Sequence, residues 1–260
     1  MVAPYVNIHT HCRCDEGIEV VSVMAALGVL SQDVSQPSFA PGVLPQHITQ
    51  PPFSLGVLPQ DASQPQPPFA LGIHPWQLTG LDANSLGDLS AALEVIEASD
   101  ASAIGEIGLD YTVAVAGDSA LRTLQERVFT AQLRLAESSG RPVILHSVKA
   151  FEPTLTILAS YSLQAVIFHG FIGSEQQAAR ATRRGYFLSF GERSLTSPKT
   201  VQALRSTPSK QIFLETDVSP LSIRDIYTQA ASSLQVPIEE LARQLFENYQ
   251  EVFGHDRSVA

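Results

Sequence analysis

The sequence predicts an α/β fold: a TIM-type (β/α)8 barrel with a Pro/Gln-rich insertion before the third strand. Three observations predict it. From about residue 100 onward, short β-branched runs alternate with longer stretches of helical periodicity, as parallel strands joined by crossover helices do. About eight strand segments fit within 260 residues, which suits a closed barrel better than an open sheet. Histidines and carboxylates recur at or near the C-terminal ends of those segments, the face on which barrel active sites are built.

The strands are read in order at 4–9 (PYVNIH), 18–24 (IEVVSVM), 69–73 (FALGI) and 102–110 (SAIGEIGLD), then at 142–147 (PVILHS), 165–170 (AVIFHG), 186–191 (YFLSFG) and 211–217 (QIFLETD). Helices are expected over 85–99, 118–140, 151–160, 174–185, 198–206, 223–234 and 237–254. In the second of these, Leu121, Leu124, Val128, Phe129, Leu133 and Leu135 fall near helical spacing. Gly140 and Gly185 mark helix stops, and Pro237 suits the first turn of the last helix. One connection departs from the pattern: about eight residues separate the first two strands, too few for a normal helical crossover.

Residues 1–260 read as one domain, with an irregular insertion over 25–68. The insertion is rich in Pro, Gln and Ser and holds two imperfect copies, FAPGVLPQ (39–46) and FSLGVLPQ (53–60), of the segment FALGIHPW at 69–76. Prolines every few residues exclude a central strand. Local duplication explains the shared F-x-x-G-[VI]-x-P pattern better than a Pro-rich linker that resembles the strand by chance. The third copy is then the true strand, and it alone carries a histidine, His74, where the others have Leu44 and Leu58.

The formal net charge of −10 excludes an extended basic surface for gripping duplex nucleic acid, which needs many cations on phosphates. It leaves room for a local phosphate site. Two cysteines, Cys12 and Cys14, sit too close to staple a fold. The N-terminus lacks the pattern of a signal peptide, and no run of about 18 apolar residues offers a membrane span. A cytoplasmic enzyme is expected.

His9 and His11 follow the first strand as H-T-H; Glu106 lies in IGEIGLD; His146, His169 and Asp217 end later strand segments. Residues i and i+2 on an extended chain point the same way, so His9 and His11 can face one ion. Four imidazoles and two carboxylates suit two divalent ions. A carboxylate such as Glu106 can bridge two ions about 3.5–4 Å apart, which would clamp a phosphoryl oxygen.

These residues carry a resemblance to the TatD family of metal-dependent hydrolases. The matching segments are NIHTH (7–11), LGIHPW (71–76), IGEIGLDY (104–111) and QERVFTAQLRLAESSGRPVILHS (125–147). They continue with FHGFIGSEQQA (168–178), FLSFG (187–191), FLETD (213–217) and FENYQEVFG (246–254). The resemblance implies a two-metal barrel hydrolase, with Zn, Mg or Mn as the ions and DNA or short nucleotides as substrate. Carried over by motif, His9, His11 and Asp217 hold the first ion, Glu106 bridges, and His146 and His169 complete the second. Asp217 and Glu106 are then the catalytic residues, and His74 orients a phosphate at the mouth. The chain departs from the family pattern at Asn7, where Asp is usual, and at Ser147, Val148 and Lys149, where S-R-D is common. Arg13 or Lys149 is then expected to supply the missing positive charge.

Two other readings stay open: a two-metal hydrolase of an ester, lactone or amide, and a barrel that binds metal or a partner without catalysis. Asp110 and Tyr111 are expected to shape the rim. Glu215, two residues before Asp217, is expected to hydrogen-bond a ligand. His47 and His255 are expected at the surface, and Cys12 and Cys14 in a loop.

Overall fold

The computed structural model describes residues 3–11, 17–25, 68–81, 86–113 and 119–254. Within them lie eight strands: β1 (Val6–Thr10), β2 (Ile18–Met24), β3 (Phe69–Gly72), β4 (Ala103–Asp110), β5 (Val143–Val148), β6 (Val166–Phe168), β7 (Phe187–Phe190) and β8 (Ile212–Leu214). The helices are α1 (Leu86–Ala98), α2 (Ser119–Ser139), α3 (Phe151–Leu158), α4 (Glu175–Thr182), α5 (Glu192–Leu195), α6 (Pro198–Ser206), α7 (Ile223–Leu234) and α8 (Ile238–Phe253). The strands form one sheet in chain order, β1 to β8. With the intervening helices this is the (β/α)8 class that the sequence predicts.

The described residues fall in two compact units. The first takes those of Met1–Ser22, Asp61–Phe69 and Gln164–Ala260, and the second those of Val23–Gln60 and Ala70–Leu163. In the first unit β1 pairs β2, β6 pairs β7 and β7 pairs β8, all parallel. The end of β8 returns to β1: Asp217 N–H donates to His9 O at 3.1 Å, beside a parallel bridge between Thr10 and Asp217. Below that contact Asn7 clamps Thr216, its amide donating to the Thr216 hydroxyl at 2.9 Å while its oxygen accepts from Thr216 N at 3.0 Å. Ile8, Phe168, Phe190, Phe213 and Leu214 fill the interior of this unit.

In the second unit β3 pairs β4 and β4 pairs β5, again parallel. All eight residues of β4 are buried, as a strand covered on both faces requires. Gly72 permits a close approach there, since a Cβ would stand 2.7 Å from Ile107 Cγ2.

Helix ends follow the sequence signals. Gly140 and Gly185 adopt left-handed φ of 65° and 80°, and Ser174 and Ser222 close capping boxes with Gln177 and Asp225. Pro237 is the N-cap of α8 rather than a residue of its first turn. Its fixed φ of −59° serves a helix entry at either position. The strand ends are also shorter than expected, so that His169 and Asp217 lie just beyond β6 and β8. The short helix α5 has no counterpart in the sequence reading. Residues 26–67, with the first two copies of the repeated segment, lie outside the described residues, as do Cys12, Cys14, His47 and His255.

Tyr227 of α7 ties that helix to β1. Its buried hydroxyl accepts from Val6 N at 3.0 Å and donates to Val6 O at 3.1 Å. Tyr227→Phe leaves both main-chain groups unpaired, so urea denaturation is expected to show a loss of about 1–3 kcal/mol.

Candidate active site

The first unit gathers His9, His11, His169, Glu215 and Asp217. His9 and His11 leave β1 on one side, as i and i+2 residues do. Their Nε2 atoms face the same oxygen, Asp217 Oδ1, at 3.6 and 3.4 Å. The His169 ring centroid lies 4.3 Å from that of His9. Asp217 reaches the cluster through a left-handed φ of 52°. Burial works to raise the Asp217 pKa. Hydrogen bonds from His11 and His9, with the charges of His9 and His169, outweigh it and hold the carboxyl well below the usual range. Glu215 Oε1 accepts from Gly170 N at 2.7 Å and faces His169 Nδ1 at 3.4 Å. An ionised carboxylate only accepts, so Nδ1 is the donor and the lone pair of neutral His169 sits on Nε2.

The second unit gathers His74, Trp76, Glu106, Asp110 and His146. Glu106 Oε2 lies 3.6 Å from His74 Nε2 and 3.6 Å from His146 Nδ1. His146 Nε2 stands at 3.0 Å from Asp110 Oδ2. Asp110 also accepts from Trp76 Nε1 at 2.7 Å, from Thr112 N at 2.8 Å and from the Thr112 hydroxyl. Burial again works to raise the pKa, while the hydrogen bond from His146, those from Thr112 and Trp76, and the charge of His146 hold it low. His74 caps the short 3-10 turn Pro75–Leu78, its Nδ1 accepting from Trp76 N at 3.1 Å. Neutral His74 therefore carries its proton on Nε2 and presents an N–H, not a lone pair.

Two buried glutamines of α2 hold the main chain of this cluster. Gln132 bonds both amide groups of Ile73, at 2.6 and 3.1 Å, and Gln125 bonds both of Asp110, at 3.0 Å each. Seven residues apart, they share one helix face.

The donor geometry fits divalent ions. Two ligands about 2.0–2.2 Å from one ion stand about 3.4 Å apart at a tetrahedral angle, close to the 3.4–3.6 Å separations at Asp217 and Glu106. His74, Glu106 and His146 bring ligand atoms within 4.8 Å of one another. Within that group the proton on His74 Nε2 leaves Glu106 and His146 as the candidate ligands. Glu215 Oε2 is buried with no hydrogen-bond partner among the described residues, and a buried anionic oxygen without a donor calls for a cation.

The structure thus brings His9, His11, His169 and Asp217 together in one unit, and His74, Glu106 and His146 together in the other. Lys149 is exposed at a left-handed φ of 51°, and Arg13 lies outside the described residues. Sequence reasoning gave Asp110 only a place on the rim and missed Gln125, Gln132 and Trp76. The signal for the glutamines was polar residues within the apolar register of α2. For Asp110 it was an aspartate ending a buried strand whose one other charged residue is Glu106.

The family model described as TatD related DNase matches residues 62–254. The chain belongs to the TatD family. It is 36% identical over 152 residues to Deoxyribonuclease TATDN3 of Homo sapiens, an alignment covering 56% of each chain. It is 32% identical over 173 residues to the 3'-5' ssDNA/RNA exonuclease TatD of Cronobacter turicensis, covering 64% of this chain and 62% of that one. The chain thus spans a little over half the length of the human TatD relative. The crystal structure of YJJV, a TatD homolog from Escherichia coli, aligns with a TM-score of 0.62 at 31% identity, covering 72% of this chain and 76% of that one. The TatD fold and the barrel predicted from the sequence agree. No helix among the described residues is long and apolar enough to cross a membrane.

The low Asp217 pKa sets a pH dependence for the ion-free protein. A carboxyl whose folded pKa is depressed stabilises the fold above its unfolded value, about 3.9, and that stability is lost as pH falls further. Thermal unfolding of chelator-treated protein is expected to show a melting temperature that drops below about pH 4, and Asp217→Asn should flatten that drop.

Proposed function

We propose that this chain is a metal-dependent phosphodiesterase acting on DNA ends or short nucleotides. The observation that carries the reading is the paired convergence of imidazole and carboxylate atoms on Asp217 and on Glu106 at ligand-to-ligand spacing. The deoxyribonuclease and exonuclease names of its relatives support phosphodiesters as the substrate class.

His9 and His11 through Nε2, with Asp217, would hold one ion. Glu106 and His146, through Nδ1, would hold another, and the family pattern adds His169, through Nε2, to the ligands. Imidazole-rich sites suit zinc, and carboxylates admit Mg or Mn. When bound, such ions polarise a phosphoryl oxygen and lower the pKa of a water.

The remaining work falls to the side chains. With its pKa held low, Asp217 stays an anion at neutral pH and accepts a hydrogen bond from the attacking water, which aligns it. His74 donates from Nε2 to a non-bridging phosphoryl oxygen, where charge grows in the transition state. Lys149, exposed after β5, supplies a cation for a flanking phosphate, and Arg13 is assigned the same role from the sequence. Nothing in this arrangement needs an extended basic surface, in keeping with the net charge of −10.

Metal analysis of the purified protein, with assays on bis-p-nitrophenyl phosphate and a single-stranded DNA end, tests the reading. Chelation should abolish turnover, and Glu106→Ala should lower it about 10³-fold or more at saturating metal, since a two-ion clamp supplies several kcal/mol. Faster turnover of esters or lactones than of any phosphodiester would move the assignment to carbonyl chemistry.

His74→Leu recreates the residue of the first two repeat copies. It should reduce turnover about 10²–10³-fold, as loss of one oxyanion donor does. Loss of the cap should cost about 1 kcal/mol of stability, read by denaturant melts. Parental turnover would remove His74 from the site.

A further inference from the structure

A chain of hydrogen bonds in the second unit is not used by the proposed chemistry. It runs from Trp76 through Asp110 to His146. An indole nitrogen only donates, and so does a main-chain N–H. Oδ1 of Asp110 receives the Thr112 N–H and hydroxyl, and Oδ2 receives the Trp76 indole N–H. The remaining neighbour of Oδ2 is His146 Nε2 at 3.0 Å. A carboxylate occupied by donors has no hydrogen to offer, so Nε2 carries the proton and the lone pair of neutral His146 falls on Nδ1. That atom faces Glu106 at 3.6 Å. His9 and His11 do the reverse and present Nε2 to Asp217.

Trp76 controls a second ring as well. Its main-chain N–H donates to His74 Nδ1 while its indole N–H donates to Asp110. Gln125 holds both main-chain groups of Asp110, so the carboxylate does not depend on His146 for its place. The first two copies of the segment carry Gln46 and Gln60 where the third has Trp76.

We infer that Trp76 and Asp110 are positioning residues that commit His146 to ligate through Nδ1, and so set the affinity of the Glu106–His146 ion separately from that of the ion at His9, His11 and Asp217. The inference rests on the metal-hydrolase reading for its affinity statement and on hydrogen bonding alone for its tautomer statement. Orienting carboxylates of this kind change metal affinity about 10–100-fold.

The test uses the full chain. Metal-free protein is titrated with Zn²⁺ by calorimetry, and the His146 tautomer is read from long-range ¹H–¹⁵N correlations before metal is added. Asp110→Asn and Trp76→Phe are compared with the parent, and circular dichroism melts establish that each is folded. Trp76→Phe removes a single donor and keeps the test valid if Asp110→Asn does not fold. The parent should show His146 protonated on Nε2. Asp110→Asn should show a mixture of tautomers, whereas Trp76→Phe should keep Nε2 protonated because the carboxylate still has no hydrogen to offer. Each folded variant should show one binding event weakened about 10–100-fold and the other within about two-fold of the parent. Variants with the parental tautomer and both parental affinities would overturn the inference, as would equal weakening of both events. A parent that takes up no ion would overturn the hydrolase reading and the affinity statement, while the tautomer comparison would still decide the positioning role.

Discussion

A charge buried in protein is tolerated only where donors or a cation meet it. That constraint organises both clusters, because three of their carboxylates lie almost wholly buried: Glu106 at 3% exposure, Asp110 at 1% and Glu215 at 1%. They differ in how far the protein itself meets them. Asp110 has donors on both oxygens. Glu215 has a donor on one oxygen and no partner among the described residues on the other. Glu106 has imidazole nitrogens at 3.6 Å, beyond the usual range for a strong hydrogen bond. Asp110, with a hydrogen-bonding neighbour on each oxygen, is suited to orient His146.

The neighbouring amides make this placement possible. Strand ends are where the sheet ladder stops and main-chain groups lose their partners. Gln132 takes up both amide groups of Ile73, Gln125 both of Asp110, and Asn7 joins Thr216 at the closure of β8 on β1. A neutral amide offers a donor and an acceptor at once. Asn7, one of the departures from the family pattern, uses both: its N–H₂ donates to the Thr216 hydroxyl, which in turn donates to Thr10. The departure thus has a structural account that needs no change at the candidate ligands His9 and His11.

The architecture was legible because it follows from periodicity. Buried parallel strands read as short runs rich in apolar residues, such as Val143–Leu145 of β5 and Val166–Phe168 of β6, and α2 and α8 read as helical stripes, so all eight strand segments were found. The ligand candidates were legible because His9, His11, His146, His169 and Asp217 end apolar runs, where a polar residue stands out. Tautomers and hydrogen-bond partners were not, because they depend on contacts between residues far apart in the chain. Asp110 meets Trp76 across 34 positions and His146 across 36. The short ends of β6 and β8 were also hidden, since Asp217 enters a left-handed conformation that no local residue pattern announces for a non-glycine.

The repeated segment shows how sequence divides between backbone and chemistry. All three copies keep Phe, Gly and Pro at the same positions. In the third copy Phe69 opens β3, Gly72 allows the close approach to β4, and Pro75 starts the 3-10 turn. These shared residues specify the path of the main chain. Two of the positions that differ are those of His74 and Trp76, occupied by Leu44 and Gln46 in the first copy and by Leu58 and Gln60 in the second. In the third copy these two side chains point into the cluster around Glu106 and Asp110. A leucine has no N–H to present where His74 Nε2 faces Glu106. A glutamine brings a flexible amide with both donor and acceptor faces, where the indole of Trp76 offers Asp110 a rigid N–H that only donates. The shared pattern can therefore be copied without His74 and Trp76, the two side chains that reach Glu106 and Asp110 in the third copy.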